Sequence, residues 1–245
     1  RRVDLDQNQL TSLPANLFRG LTVLERLSLR DNMVTRMPTN LFAPLSQLSY
    51  LALDRNRIAA MGAGDFASLS NLRFLALSAN PLGSLSSDIF SALTRLTNIQ
   101  LHTCSLTATP ASLFEANTRL QQLGLSENQL TTFQVLRPLR RLWLLDLGGN
   151  PLQVQPDITS FPGLRQLRLA GHSIPEVNIA SMLSLPRLES LDLATAPHFA
   201  GRSQATIPQN ALACLSRVQT ESDLTPEAME DAASCLSDEG LMAPF

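Results

Sequence analysis

The chain of 245 residues has no lysine, one tryptophan, one tyrosine, and only three histidines and three cysteines.

 

Trp143 and Tyr50 are thus each the single residue of their kind. These scarcities exclude most catalytic chemistry. His102, His172 and His198 share no metal-ligand spacing, and neither Cys-x-x-Cys nor His-Glu-x-x-His occurs, so no metal centre is expected. The Gly-x-Ser-x-Gly elbow and the glycine fingerprint for dinucleotides are also missing. Gly148, Gly149 and Gly171 are not followed by Lys-Ser or Lys-Thr and make no phosphate loop. No catalytic residue and no cofactor is therefore expected in this segment. No apolar run approaches the ~18 to 20 residues that cross a bilayer, so no membrane span is expected. None of the 13 asparagines opens an Asn-x-Ser/Thr glycan site. The missing lysine leaves 19 basic residues that are all arginine. That suits a surface needing rigid bidentate donors and equally follows from a GC-rich genome, the simpler reading. The opening Arg1-Arg2-Val3-Asp4-Leu5 has neither Met nor a signal-type hydrophobic stretch, and reads as a processed protein or an excised fragment.

What the chain does have is leucine, 48 residues of it, in a composition that is 44% hydrophobic and 16% charged. This is globular, and the leucine bias points to one repeated motif. Charge is uneven: residues 1–217 hold all 19 Arg against 14 acids, while 218–245 hold seven acids and no base, implying two segments of different character. The excess of five positive charges in the first segment is spread out, and a single exposed aromatic pair is available for stacking, so nucleic acid is not expected as a partner.

The repeat is explicit. Leu24, Leu48, Leu72, Leu96 and Leu120 lie 24 apart, Leu142 and Leu164 follow after 22 each, and Leu188 after another 24. Each opens the same pattern, as in Leu24-x-x-Leu27-x-Leu29-x-x-Asn32-x-Val34 and Leu48-x-x-Leu51-x-Leu53-x-x-Asn56-x-Ile58, and the chain begins inside a copy at Val3-x-Leu5-x-x-Asn8-x-Leu10. Alternation puts Leu27 and Leu29 on one face of a short strand, with Arg26, Ser28 and Arg30 on the other. One coil cannot bury its leucines alone, so coils must stack and pair their strands. The sequence here resembles the leucine-rich repeat family, over nine copies spanning residues 1–195. The resemblance implies an α/β solenoid: a curved right-handed horseshoe with a parallel β-sheet on the concave face and an irregular or short-helical convex side.

Asn8, Asn32, Asn56, Asn80, Asn128 and Asn150 form a structural ladder whose amides can satisfy the turn after each strand. Cys104 takes the slot in the fifth copy and is expected as a structural thiol. His172 takes it in the eighth and Ala196 in the ninth, where the register ends. Phe18, Phe42, Phe66, Phe90 and Phe114 recur behind the strands and are expected to stack as an aromatic spine, with Leu13-Pro14, Met37-Pro38 and Thr109-Pro110 preceding three of them. The 24-residue length, Leu-Pro turn and Phe resemble the "typical" subtype common in extracellular animal receptors and matrix proteins. Copies six and seven depart from it, lacking the Phe slot, and a change of curvature is expected near residues 130–160.

Function must then sit on the solvent side of the sheet. One column there reads Arg2, Arg26, Tyr50, Phe74, Asn98, Gln122, Leu144, Gln166, Ser190, and the next Asp4, Ser28, Ala52, Ala76, Gln100, Gly124, Asp146, Arg168, Asp192. Tyr50 and Phe74 beside Arg26, Arg30, Asp54 and Arg55 have the make-up of an interface hot spot, with Ala52, Ala76, Ser78 and Ala79 expected to leave room for a partner's side chain. The same aromatic pair could equally serve the sheet, and Asp6, Arg30, Asp31, Asp54 and Arg55 could equally form a solvated charge network. Trp143, Leu144, Asp146 and Arg168 make a secondary patch. His102 reads as a solvated concave-face histidine, with a pH-sensitive contact as the sharper alternative.

Residues 196–245 are expected as a non-repeat cap. Thr225-Pro226-Glu227 reads as a helix start and Gly240 as a stop, with a short helix near 226–236. Cys214 and Cys235 could bridge, which the chain-entropy model values at about 3 kcal/mol. The Cys-rich terminal caps of extracellular relatives are not matched. The preferred reading is a non-catalytic recognition module whose concave face binds a protein ligand or co-receptor, as part of a cell-surface receptor or adhesion protein. An intracellular scaffold or effector in the cytoplasm, or the substrate-selecting region of a larger enzyme, stand as alternatives.

Overall fold

The computed structural model describes residues 1–175, 178, 181–182, 185–193 and 206–207. Each copy contributes one three-residue strand: β1 (Arg2–Asp4), β2 (Arg26–Ser28), β3 (Tyr50–Ala52), β4 (Phe74–Ala76), β5 (Asn98–Gln100), β6 (Gln122–Gly124), β7 (Leu144–Asp146), β8 (Gln166–Arg168) and β9 (Ser190–Asp192). All nine pair in parallel and in strict sequence order, with Arg26 opposite Tyr50, Tyr50 opposite Phe74 and so on along the repeat. A last strand, β10 (Thr206–Ile207), joins β9 antiparallel and closes that edge of the sheet. The expected helix near 226–236 and the Cys214–Cys235 pair lie outside the described residues, as do Ala196 and His198.

The inward positions behave as their spacing requires. Leu24, Leu27, Leu29 and Val34 are buried, and so are their equivalents Leu48, Leu51, Leu53 and Ile58 in the next coil, forming one core that runs the length of the solenoid. The convex side is built of turns with short 3₁₀ segments at Ala63–Phe66 and Ile158–Ser160. Behind the sheet, Phe18 stacks on Phe42, and Phe66, Phe90 and Phe114 follow with centroids 6.0–6.2 Å apart. Copies six and seven do not simply lose this bulk. Phe133 takes the slot that Leu13 and Met37 fill elsewhere, Phe161 takes that of Leu45 and Leu69, and the two rings stack at 6.2 Å. The aromatic volume moves to the slots on either side of the missing Phe, so the shorter coils stay filled.

The ladder carries the turns. Asn56 Nδ2 donates to the carbonyls of Leu53 in its own coil and Leu29 in the coil before, while its Oδ1 accepts from Val34 N–H. Asn32, Asn80, Asn128 and Asn150 repeat the arrangement. Asn8, in the first coil, keeps the bonds to Leu5 and Asp6 carbonyls. Cys104 fills the same slot, its thiol donating to the Leu77 carbonyl at 3.3 Å. Burial pushes that thiol up to about 11, so it stays protonated and unreactive at neutral pH. His172 Nδ1 accepts from Ile174 N–H, but its buried Nε2 has no partner among the described residues.

Just before each ladder residue the backbone turns left-handed. Gln7, Asp31, Arg55, Ala79, Thr103 and Glu127 have φ of 52–55°, and Gly149 and Gly171 continue the slot at 67° and 79°. The turn aims strand carbonyls at the ladder amide, and the first six copies hold it with residues that disfavour this conformation.

Candidate functional site

The concave sheet positions Arg26, Tyr50 and Phe74 in one column because each is the first residue of its strand. Tyr50 and Phe74 stack face to face, 4.5 Å between centroids and 5° from parallel, and the Arg26 guanidinium lies 4.2 Å above the other face of Tyr50. Both faces of Tyr50 are thus covered, and Tyr50 and Phe74 are each half-buried in the column. The column continues into Asn98, whose amide donates to Gln122 at 2.6 Å.

Beneath it runs a polar line the sequence reading only partly anticipated. Arg30 N–H donates to Asp6 Oδ1 at 2.7 Å, and its Nε donates to Asp54 Oδ2 at 2.8 Å. Asp54 Oδ1 accepts from Ser78 N–H at 3.0 Å, His102 N–H donates to Ser78 Oγ at 3.1 Å, and His102 Nδ1 lies 2.6 Å from Ser126 Oγ. Six successive coils are linked. Burial raises the Asp54 carboxyl above its ordinary value, with Arg30 working against that shift. Both of its oxygens are engaged, so Asp54 holds Arg30 in place rather than presenting a free charge. Arg55 is exposed and pairs with Asp31 at 3.5 Å, a contact of little energy on an open surface.

The structure corrects one expectation. Ala52 and Ala76 are 0% exposed and so offer no open space to a partner's side chain. Ser78 and Ala79 are half-buried, and Ser78 is occupied by the polar line. The positions expected to open a slot beside the stack are thus covered or engaged.

In the secondary patch, Trp143 precedes β7 and is half-buried, as is Leu144. Asp146 is nearly buried, accepting from Gly148 N–H at 3.1 Å and from Arg168 at 3.3 Å. Trp143, Leu144 and Arg168 remain as its contact groups, with Asp146 as their support. His102 is not freely solvated as expected: its ring lies over Gly124, where any side-chain carbon would collide with it, and burial pulls its pKa down. Asn117 escaped sequence reasoning altogether. It sits fully buried in the slot of Leu69 and Leu93, donating to the Phe90 and Leu93 carbonyls. The signal was there, one polar residue in a column of leucines. Among the described residues no group of His, Cys, Asp and Glu could hold a metal, and no helix is long and apolar enough to cross a membrane.

A stack of equivalent coils with a continuous parallel sheet and chemically varied solvent columns defines a repeat solenoid that presents an extended recognition surface. The leucine rich repeat model matches residues 1–58, 46–104 and 94–152, and the chain belongs to that family. Among solved structures it is similar to the TLR13–ssRNA13 complex, with 28% identity, TM-score 0.70, and coverage of 78% of this chain and 28% of that one. It is also similar to Toll in the Drosophila Toll–Spatzle complex, with 26% identity, TM-score 0.70, and coverage of 76% and 27%. The LRR protein LIC12759 of Leptospira interrogans gives 25% identity, TM-score 0.68, and coverage of 76% and 52%. The chain thus spans only about a quarter to a half of the length of these solved chains. No curated protein matches it.

Proposed function

We propose that this chain is a protein-recognition module of a cell-surface receptor or adhesion protein, and that it binds a protein ligand through Arg26, Arg30, Tyr50, Arg55 and Phe74. The observation that carries the reading is the Arg26–Tyr50–Phe74 stack, three large side chains held rigid on the concave face. Rigid aromatics with arginine lose little conformational freedom on binding and are the usual centres of interface energy. Receptor-like neighbours, one solved with a protein ligand, favour the same reading. A second neighbour is solved with RNA, but here both faces of Tyr50 are already taken, by Phe74 and by Arg26, and cannot stack on a base.

The test places photo-reactive benzoylphenylalanine at position 50 or at Ser87, an exposed residue away from the strands, and exposes each protein to extract of its source. An adduct that forms at position 50 and not at 87, and disappears with Arg26→Glu, supports the proposal. Equal labelling at both positions, or indifference to Arg26→Glu, overturns it.

A further inference from the structure

The concave stack leaves unused a second concentration of arginine on the turns that lead into the strands. Arg95, Arg119 and Arg141 each stand three residues before their strand, so they occupy one slot of three adjacent coils, stepped by about 4.8 Å at the sheet. Arg137 and Arg140 join them, and with Thr118, Pro138 and Arg141 they line a cleft of about 430 Å³. Arg95 hydrogen-bonds Asn71 and Arg137 pairs with Glu115. Among the described residues no carboxylate pairs with Arg119, Arg140 or Arg141, and all three are exposed. Trp143 follows Arg141 by two residues, just before β7, and is half-buried.

We propose that this arginine row is a second docking surface, distinct from the concave stack, and that it takes an extended acidic segment of a protein partner. Charge complementarity fixes the sign, because three unpaired guanidiniums on adjacent coils repel one another until carboxylates lie between them. Guanidinium forks match carboxylates two bonds at a time. The row is also short and bounded: Glu115 sits at one side and Glu189, paired with Arg165, at the other. The cleft lining carries no aromatic ring on which a base could stack, so it suits an acidic peptide better than a nucleic acid.

The experiment titrates the full chain with fluorescein-labelled deca-glutamate, reading anisotropy together with the emission of Trp143, and repeats the titration with deca-uridylate RNA. The expected result is peptide binding that tightens at low salt, moves Trp143 emission, and weakens at least about tenfold in R119E/R140E/R141E. The same binding should be unchanged in R26E, which separates this row from the concave site. A companion chain has the seven acids of 218–245 changed to their amides, so that they cannot compete. Absence of binding in both chains overturns the proposal, as does indifference to the triple charge reversal or tighter binding of the RNA. Binding confined to the companion chain overturns it too, by assigning the row to the chain's own acidic segment.

Discussion

Coils two to six and coils seven to eight are built on one inward frame and carry opposite surfaces. In the first region the concave line reads Arg30, Asp54, Ser78, His102 and Ser126, each bonded to the next, and in the second it thins to Gly148 and Ala170. The left-handed slot shows the same contrast: Asp31, Arg55, Ala79, Thr103 and Glu127 against Gly149 and Gly171. Glycine is the conformationally free choice there, so the first region keeps side chains on its rim at the expense of backbone strain. The comparison separates what folds the protein from what it displays.

The largest effect should show that the frame is common to both regions. Asn80→Ala and Asn150→Ala each strand buried carbonyls and one buried N–H, and each should lower stability by about 3 kcal/mol in chemical denaturation. Losses differing by more than about 1.5 kcal/mol would mean that the two regions do not share one ladder.

Next come the glycines that divide the surfaces. Gly124→Ala puts a methyl group into the His102 ring and should drive it from Ser126, costing about 1 to 2 kcal/mol. Gly148→Ala meets nothing closer than 3.4 Å and should stay within about 0.5 kcal/mol of the parent. Equal costs in denaturation would erase the distinction between a filled and an open concave face.

Most of this frame was legible in the sequence, and the reason is physical. Leu27, Leu29, Asn32 and their equivalents recur because a stacked coil admits few alternatives at buried positions, so periodicity alone locates strands, core and ladder. The aromatic column was legible too, since strand register follows from the repeat. The interlocking of Tyr50 with Arg26, the burial of Ala52 and Ala76, and the His102–Gly124 contact were not. They depend on rotamers and on neighbours 22 to 24 residues away, which alternation of polar and apolar residues does not encode. The displacement of aromatic volume to Phe133 and Phe161 was hidden for a related reason: filling a coil constrains total volume and leaves the slot free.

The histidines test whether defects in the frame are regional. Burial lowers the pKa of both His102 and His172, with Asp54 and Asp146 opposing the shift at His102 and Arg168 adding to it. Each therefore takes up its proton at lower pH in the folded chain than in the unfolded one, where it does so near pH 6.5. Stability should be fully present above that pH and decline as pH falls below it. His172→Asn restores the ladder residue and removes the buried Nε2 that lacks a partner. It should raise stability by about 1 kcal/mol and flatten the acid decline, measured as denaturation midpoints across pH. His102→Gln should flatten the decline without the gain, because His102 serves the surface and not the ladder.

The smallest effect bears most directly on the contrast. Thr103 is β-branched and held at φ 54°, where its side chain crowds the backbone. Thr103→Gly removes a left-handed penalty of about 1 to 2 kcal/mol but frees the unfolded chain, so the net gain should be about 0.5 kcal/mol. Gly149→Ala should run the other way: its φ of 67° is strained for any side chain, and the new methyl carbon would fall 2.6 Å from the Glu127 carboxylate. Calorimetry on both variants measures the asymmetry. If Thr103→Gly stabilises and Gly149→Ala does not, the rim side chains of coils two to six are held against the backbone's own preference, which folding alone does not require. If Thr103→Gly destabilises, the side chain is doing structural service in its coil, and the rim of the first region loses its claim to have been kept for a partner.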